Sequence, residues 1–90
     1  MMEHVKYFYE ELQPTLAKLE GRLSLRREEI EEVTKKIEHY IQLCPKEHKE
    51  RTLMIWTGKK AYIVKVKDIP DLIRKDLKVL LAIIRMWSKR

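Results

Sequence analysis

An apolar seam over the first 44 residues sets the strongest limit on how this chain folds. Val5, Tyr9, Leu12, Leu16, Leu19, Leu23, Ile30, Val33, Ile37, Tyr40 and Cys44 follow one another at steps of three and four, apart from a seven-residue gap around Arg26. That spacing is helical and heptad-like. Drawn as one helix from Met2 to Cys44 it would be about 60 Å long, too long to lie against a domain of 90 residues. Such a rod needs a second chain beside it. Gly21 as a C-terminal cap and Ser24 as an N-cap offer the other arrangement, a hairpin of helices near 2 to 20 and 24 to 43. This punctuation favours the hairpin, with one long helix kinked at Pro14 as the alternative. In either case Leu12, Leu16, Leu19, Leu23, Ile30, Val33 and Ile37 are the candidate interface, toward a second copy or another protein.

Cys44-Pro45 ends the helical half, and 46 to 50 reads as a charged linker. Two strand-type runs then flank Gly58 within residues 51 to 67. A two-residue turn at Gly58-Lys59 pairs Trp56 with Ala61, Ile55 with Tyr62 and Leu53 with Val64. One face is then Leu53, Ile55, Tyr62, Val64 and Val66, and the other Met54, Trp56, Ala61 and Ile63. Both are apolar, so the ribbon is expected to be covered by helices or extended by another strand, its free edge pairing with that of a second copy. Asp68 reads as the N-cap of a helix from 68 to 88, with Pro70 in its first turn. On a helical projection Arg74, Arg85, Lys78, Lys89 and Lys75 form one narrow basic stripe that also takes in Ala82, and the large apolar side chains fall on the remaining arc. The expected fold is therefore α+β in one domain: helical hairpin, β-hairpin, C-terminal core helix. A small core and an apolar seam make a homodimer the expected assembly.

Charge divides the chain sharply. Residues 1 to 44 hold 7 Lys/Arg against 9 Glu, a net of −2, whereas residues 45 to 90 hold 13 Lys/Arg against 5 Asp/Glu, a net of +8. An anionic partner is expected to meet the second half. Candidate phosphate contacts are Lys59 and Lys60 at the hairpin tip, Lys65 and Lys67 at the strand end, and Arg74, Lys78, Arg85 and Lys89 on the last helix. Trp56 or Tyr62 is placed to stack on an unpaired base. DNA or RNA is thus the first candidate partner, and a protein the second.

Catalytic and metal chemistry find little to build on. His39, Cys44 and His48 lie close in sequence, but a structural zinc needs four ligands. Ser24 and Ser88 have no activating base in their context. Glu28, Glu29, Glu31 and Glu32 read as a solvated face paired with Lys35 and Lys36 one turn on. The reading is therefore a non-enzymatic protein without cofactor or metal. A single cysteine excludes an intrachain disulfide, no signal peptide is visible, and no apolar run approaches the roughly 20 residues of a membrane span. An intracellular, cytoplasmic protein is expected. The absence of asparagine beside abundant Lys, Arg and Glu suits a thermophilic source, archaeal or viral.

Overall fold

The structure, a computed structural model, describes residues 2–89. It measures 34 × 26 × 21 Å, which leaves no room for a 60 Å helix. The seam doubles back instead, and the chain is α+β. Its elements are α1 (Glu3–Tyr7), a π-helical turn (Phe8–Leu12), α2 (Gln13–Leu19), α3 (Arg27–Leu43), α4 (Lys46–Lys49), β1 (Thr52–Trp56), β2 (Ala61–Lys65), a 3-10 turn (Val66–Asp68), α5 (Ile69–Lys75) and α6 (Leu77–Trp87).

Gly21 makes the reversal after α2. Its φ of +83° lies in the left-handed region, where a side chain is disfavoured, and the Arg22 N–H closes the helix end on the Leu19 carbonyl at 3.3 Å. Ser24 is not the N-cap of the second arm. The helix begins at Arg27, and the backbone N–H of Arg26 donates to the Glu29 carboxylate at 2.8 Å, half of a capping box. Arg22 also pairs with Glu29, so one carboxylate ties the connection to the new helix.

The first arm departs from the expected phase. Pro14 has no N–H to give the Glu10 carbonyl, and the preceding turn widens until the Gln13 N–H bonds the Phe8 carbonyl five residues back. A wider turn brings residues four apart onto one face. His4, Phe8, Leu12, Leu16 and Leu19 therefore point inward, while Tyr9, expected on the seam, is exposed. Phe8 meets Tyr40 of α3 and Trp87 of α6 at centroid distances of 5.3 and 6.2 Å, and Tyr40 meets Trp87 at 5.8 Å. This three-ring contact joins both arms to the last helix.

The candidate interface residues are mostly interior. Leu12, Leu16, Leu19, Val33 and Ile37 are buried in the chain's own core and Ile30 is half-buried, which leaves Leu23, 97% exposed, as the open one of the seven. The seam closes on itself because the hairpin of helices sets α2 and the π-turn against α3 and α6. It is not a free surface for a second chain.

The β-hairpin has the expected register, Trp56 with Ala61, Ile55 with Tyr62, Leu53 with Val64. Its inner face is covered by α6: Ile55 and Val66 are buried, and Leu53, Tyr62 and Val64 pack against the core. Among the described residues no helix covers the outer face, and Met54, Trp56 and Ile63 are left 64%, 55% and 74% exposed. The linker after Cys44 is a single helical turn, α4. The thiol of Cys44 is buried against the Tyr40 carbonyl at 3.3 Å, and burial raises its pKa.

The largest correction concerns the last helix. It is two helices, α5 and α6, divided at Asp76, whose φ of −149° and ψ of 103° are extended. Asp68 lies in the 3-10 turn and its side chain caps nothing, whereas the Asp76 carboxylate accepts the Lys78 N–H at 3.0 Å and caps α6. The two helices therefore do not share one projection. Ala82, assigned to the basic stripe, is buried, as are Val79, Leu80, Ile83, Ile84 and Trp87.

Such burial predicts that Leu80→Ala or Ile84→Ala costs about 2–5 kcal/mol, the range for truncating an enclosed aliphatic. Leu23→Ala should cost less than about 0.5 kcal/mol, as an exposed position does. Urea titration of the three variants separates these values.

Candidate nucleic-acid interface

The candidate surface forms where the hairpin tip meets the start of α6. The tip is held by Thr57, whose hydroxyl accepts the Lys60 N–H at 3.1 Å and donates to the Lys60 carbonyl at 3.2 Å. Gly58, at φ +94°, supplies the reversal that a side chain would resist. Lys59 and Lys60 thus project into water from a fixed turn rather than from a loose loop.

Asp76 aligns that turn with α6. While one carboxylate oxygen caps the helix, the other accepts the Tyr62 hydroxyl at 2.7 Å. These bonds, Tyr62 first and the Lys78 N–H second, hold the Asp76 carboxyl below its ordinary pKa, and the same carboxylate raises that of Tyr62. The Lys60 ammonium sits 5.5 Å from the centre of the Tyr62 ring, a cation–π distance. Lys78, in the first turn of α6, meets Lys59. The contact between these two ammonium groups is the leading cause of a lowered pKa at Lys78. Two turns further along α6, the Arg85 guanidinium reaches the Trp56 carbonyl at 3.4 Å, a long hydrogen bond.

Lys59, Lys60, Lys78 and Arg85 therefore come together from two elements. Lys65, Lys67 and Arg74 do not join them. Lys65 and Lys67 converge at the opposite end of the ribbon on Glu50, at 3.0 and 2.9 Å. Arg74 lies on α5, beyond the break, and binds Glu38 at 2.6 Å and Asp71 at 3.3 Å. Lys89 is exposed in the turn after α6. The expected stripe fails because it was drawn on a continuous helix, and the extended residue at Asp76 turns Arg74 away from Lys78.

The two aromatic candidates are also separated. Tyr62 faces inward with its hydroxyl bound to Asp76, whereas Trp56 stands on the outer face beside Met54 and Ile63. Sequence reasoning passed over Asp76, although Asp directly before an apolar stretch is a recognisable N-cap signal. The apolar periodicity continued through it and concealed the boundary.

The remaining chemistry is sparse. A cleft of about 310 Å³ is lined by Phe8, Tyr40, His48, Arg51 and Trp87 among others, with no carboxylate or thiol in its wall. The Tyr40 hydroxyl lies 3.4 Å from His48 Nε2. Among the described residues no group of three or more His, Cys, Asp or Glu is disposed to hold a metal ion, and no helix is long and apolar enough to cross a membrane. No protein-family model matches the chain, and no curated protein or solved structure matches it either.

The Glu50 clamp yields a pH prediction. Hydrogen bonds from Lys67 and then Lys65 lower the Glu50 carboxyl from 4.5 to about 2. A carboxylate whose folded pKa is depressed stabilises the fold above its unfolded value and loses that contribution as pH falls through the folded one. The urea midpoints of the parent and Glu50→Gln should thus differ at neutral pH and converge as pH falls from 4.5 toward 2. A gap that persists at the acid end would assign the difference to something other than the charge.

Proposed function

We propose that this is a small non-enzymatic nucleic-acid-binding or regulatory protein that holds a phosphate backbone against the hairpin tip and α6. The observation that carries the reading is that the Tyr62–Asp76 bond docks the hairpin tip, with Lys59 and Lys60, on the first turn of α6, with Lys78, while Arg85 reaches the Trp56 carbonyl two turns further on; Lys59 also lowers the pKa of Lys78. Like charges held together by a fold repel each other, and an anion between them removes that repulsion. Asp76 is the acid within this group, and its carboxylate, bonded by the Tyr62 hydroxyl and the Lys78 N–H, offsets part of the charge of Lys60 and Lys78 and leaves the group cationic. At the other end of the ribbon Glu50 already neutralises part of the charge of Lys65 and Lys67. The contacts expected to matter are therefore Lys59, Lys60, Lys78 and Arg85, with Lys89 exposed beyond Arg85, and not Lys65, Lys67 or Arg74.

The alternative of an adaptor or homodimer built on the helical seam loses its surface, since five of its seven residues are interior. Association with a second copy or another protein would use other surfaces, such as the outer face or the edge of the ribbon.

Replacing Lys59 and Lys60 together by Ala should weaken binding to any duplex or single strand irrespective of sequence, because backbone contacts carry no base information. The slope of log K against log salt should fall by about 0.9 per lost contact on B-DNA, or about 0.7 on a single strand. Lys65→Ala with Lys67→Ala is the matched control and should change the slope much less. Fluorescence anisotropy across a salt series reads all three proteins. Absence of binding by the parent at about 50 mM salt, where electrostatic affinity is high, would remove the reading.

A further inference from the structure

We infer that the nucleic acid taken by this surface is single-stranded, and that Trp56 is the platform on which an unpaired base stacks. The inference rests on the phosphate-binding reading above and narrows its ligand.

The outer face of the ribbon consists of three cross-strand pairs, Thr52 with Lys65, Met54 with Ile63, and Trp56 with Ala61. Met54, Trp56 and Ile63 are each more than half exposed. Large apolar side chains grouped in the open mark an interaction site more often than a solvated surface. Trp56 is the last residue of β1, directly before the turn that carries Lys59 and Lys60, and its carbonyl accepts the Arg85 guanidinium. Its cross-strand neighbour is Ala61, too small to cover an indole. An exposed aromatic ring thus stands on the outer face at the tip end of the ribbon, directly before the turn of Lys59 and Lys60, while Lys78 and Arg85 lie on the side of α6.

The chemistry of this end of the ribbon selects among ligands. A B-form duplex presents phosphates outside and base edges in its grooves, and its base faces are already stacked on one another. Binding a duplex would set Met54, Trp56 and Ile63 against charged backbone and water. An unpaired strand offers phosphates and bare base faces together, which is what cations beside an exposed indole accommodate. A second copy of this chain laid ribbon to ribbon matches the face less well. Neither strand contains an acidic residue, so a copy laid across the ribbon would bring an apolar patch but no counter-charge for Lys59 and Lys60.

The test is fluorescence anisotropy of the full chain with labelled oligo(dT) and with a duplex of the same number of phosphates, at about 50 mM salt. Trp56→Ala should weaken oligo(dT) binding by about 5- to 150-fold, the loss of one base stack, and leave the duplex affinity unchanged. Trp56→Phe, which keeps a π-face, should retain most of the affinity. Tryptophan emission of the parent gives a second reading that needs no variant. Oligo(dT) should quench the exposed Trp56, whereas Trp87 is buried and shielded, and the duplex should not quench.

Oligo(dT) affinity unchanged in Trp56→Ala, while Lys59→Ala with Lys60→Ala weakens it, would overturn the stacking inference and leave the phosphate reading standing. A halved mass in solution for Trp56→Ala, without change in oligo(dT) affinity, would give the face to a second copy and likewise overturn it. If the parent binds neither ligand, the phosphate reading itself fails.

Discussion

A helix that is apolar on nearly every side must be enclosed, and the fold is organised around meeting that demand for α6. Val79, Leu80, Ala82, Ile83, Ile84 and Trp87 are all buried, which no single neighbour accomplishes. The helical hairpin contributes α2 and the aromatic contact of Phe8 and Tyr40 with Trp87, the ribbon contributes β1, and α5 closes the start. Each large aliphatic enclosed in this way contributes on the order of 1.5–3 kcal/mol. For a chain this small, such contributions must come from shared surfaces between elements rather than from any helix or hairpin alone. The seam of the first half is one of those surfaces, which is why it is not available to a second chain.

The position of Asp76 converts this packing into a candidate site. An extended residue between α5 and α6 lets α6 lie along the ribbon while α5 covers α3, and the carboxylate secures the bend by capping one helix and holding the Tyr62 hydroxyl. Lys78 is thereby placed beside Lys59, and Arg74 is directed to Glu38. The same bend that encloses the apolar helix concentrates positive charge at one end of the ribbon. Packing and electrostatics are here set by one backbone conformation.

Much of the architecture was legible in the residues. Periodicity marked the helical half, Gly21 marked its reversal, and the two strand runs around Gly58 yielded the register observed. These features are local, and local geometry is what spacing and turn chemistry encode. The errors have local causes as well. The π-helical turn ahead of Pro14 changed the phase of the first arm, so that Phe8 and His4 took the inward places and Tyr9 did not. A uniform 3.6-residue period cannot anticipate a turn of different pitch.

By itself the sequence determined the order of the main helical and extended segments, the reversal at Gly21, how the hairpin pairs, and that positive charge belongs to the second half. Each follows from interactions within a few residues along the chain, or from composition alone. Tertiary structure decided which apolar face was covered, with the inner side of the ribbon placed under α6 and Met54, Trp56 and Ile63 left in the open. It also decided which cations share a site. Lys59 and Lys60 lie by Lys78 because Tyr62 and Asp76, 14 residues apart, bond across the packed elements, and Arg85 reaches the Trp56 carbonyl, while Glu50 and Glu38 engage Lys65, Lys67 and Arg74 elsewhere. Charge acts through space, and distances in space between residues far apart in the chain are set only when the elements carrying them pack.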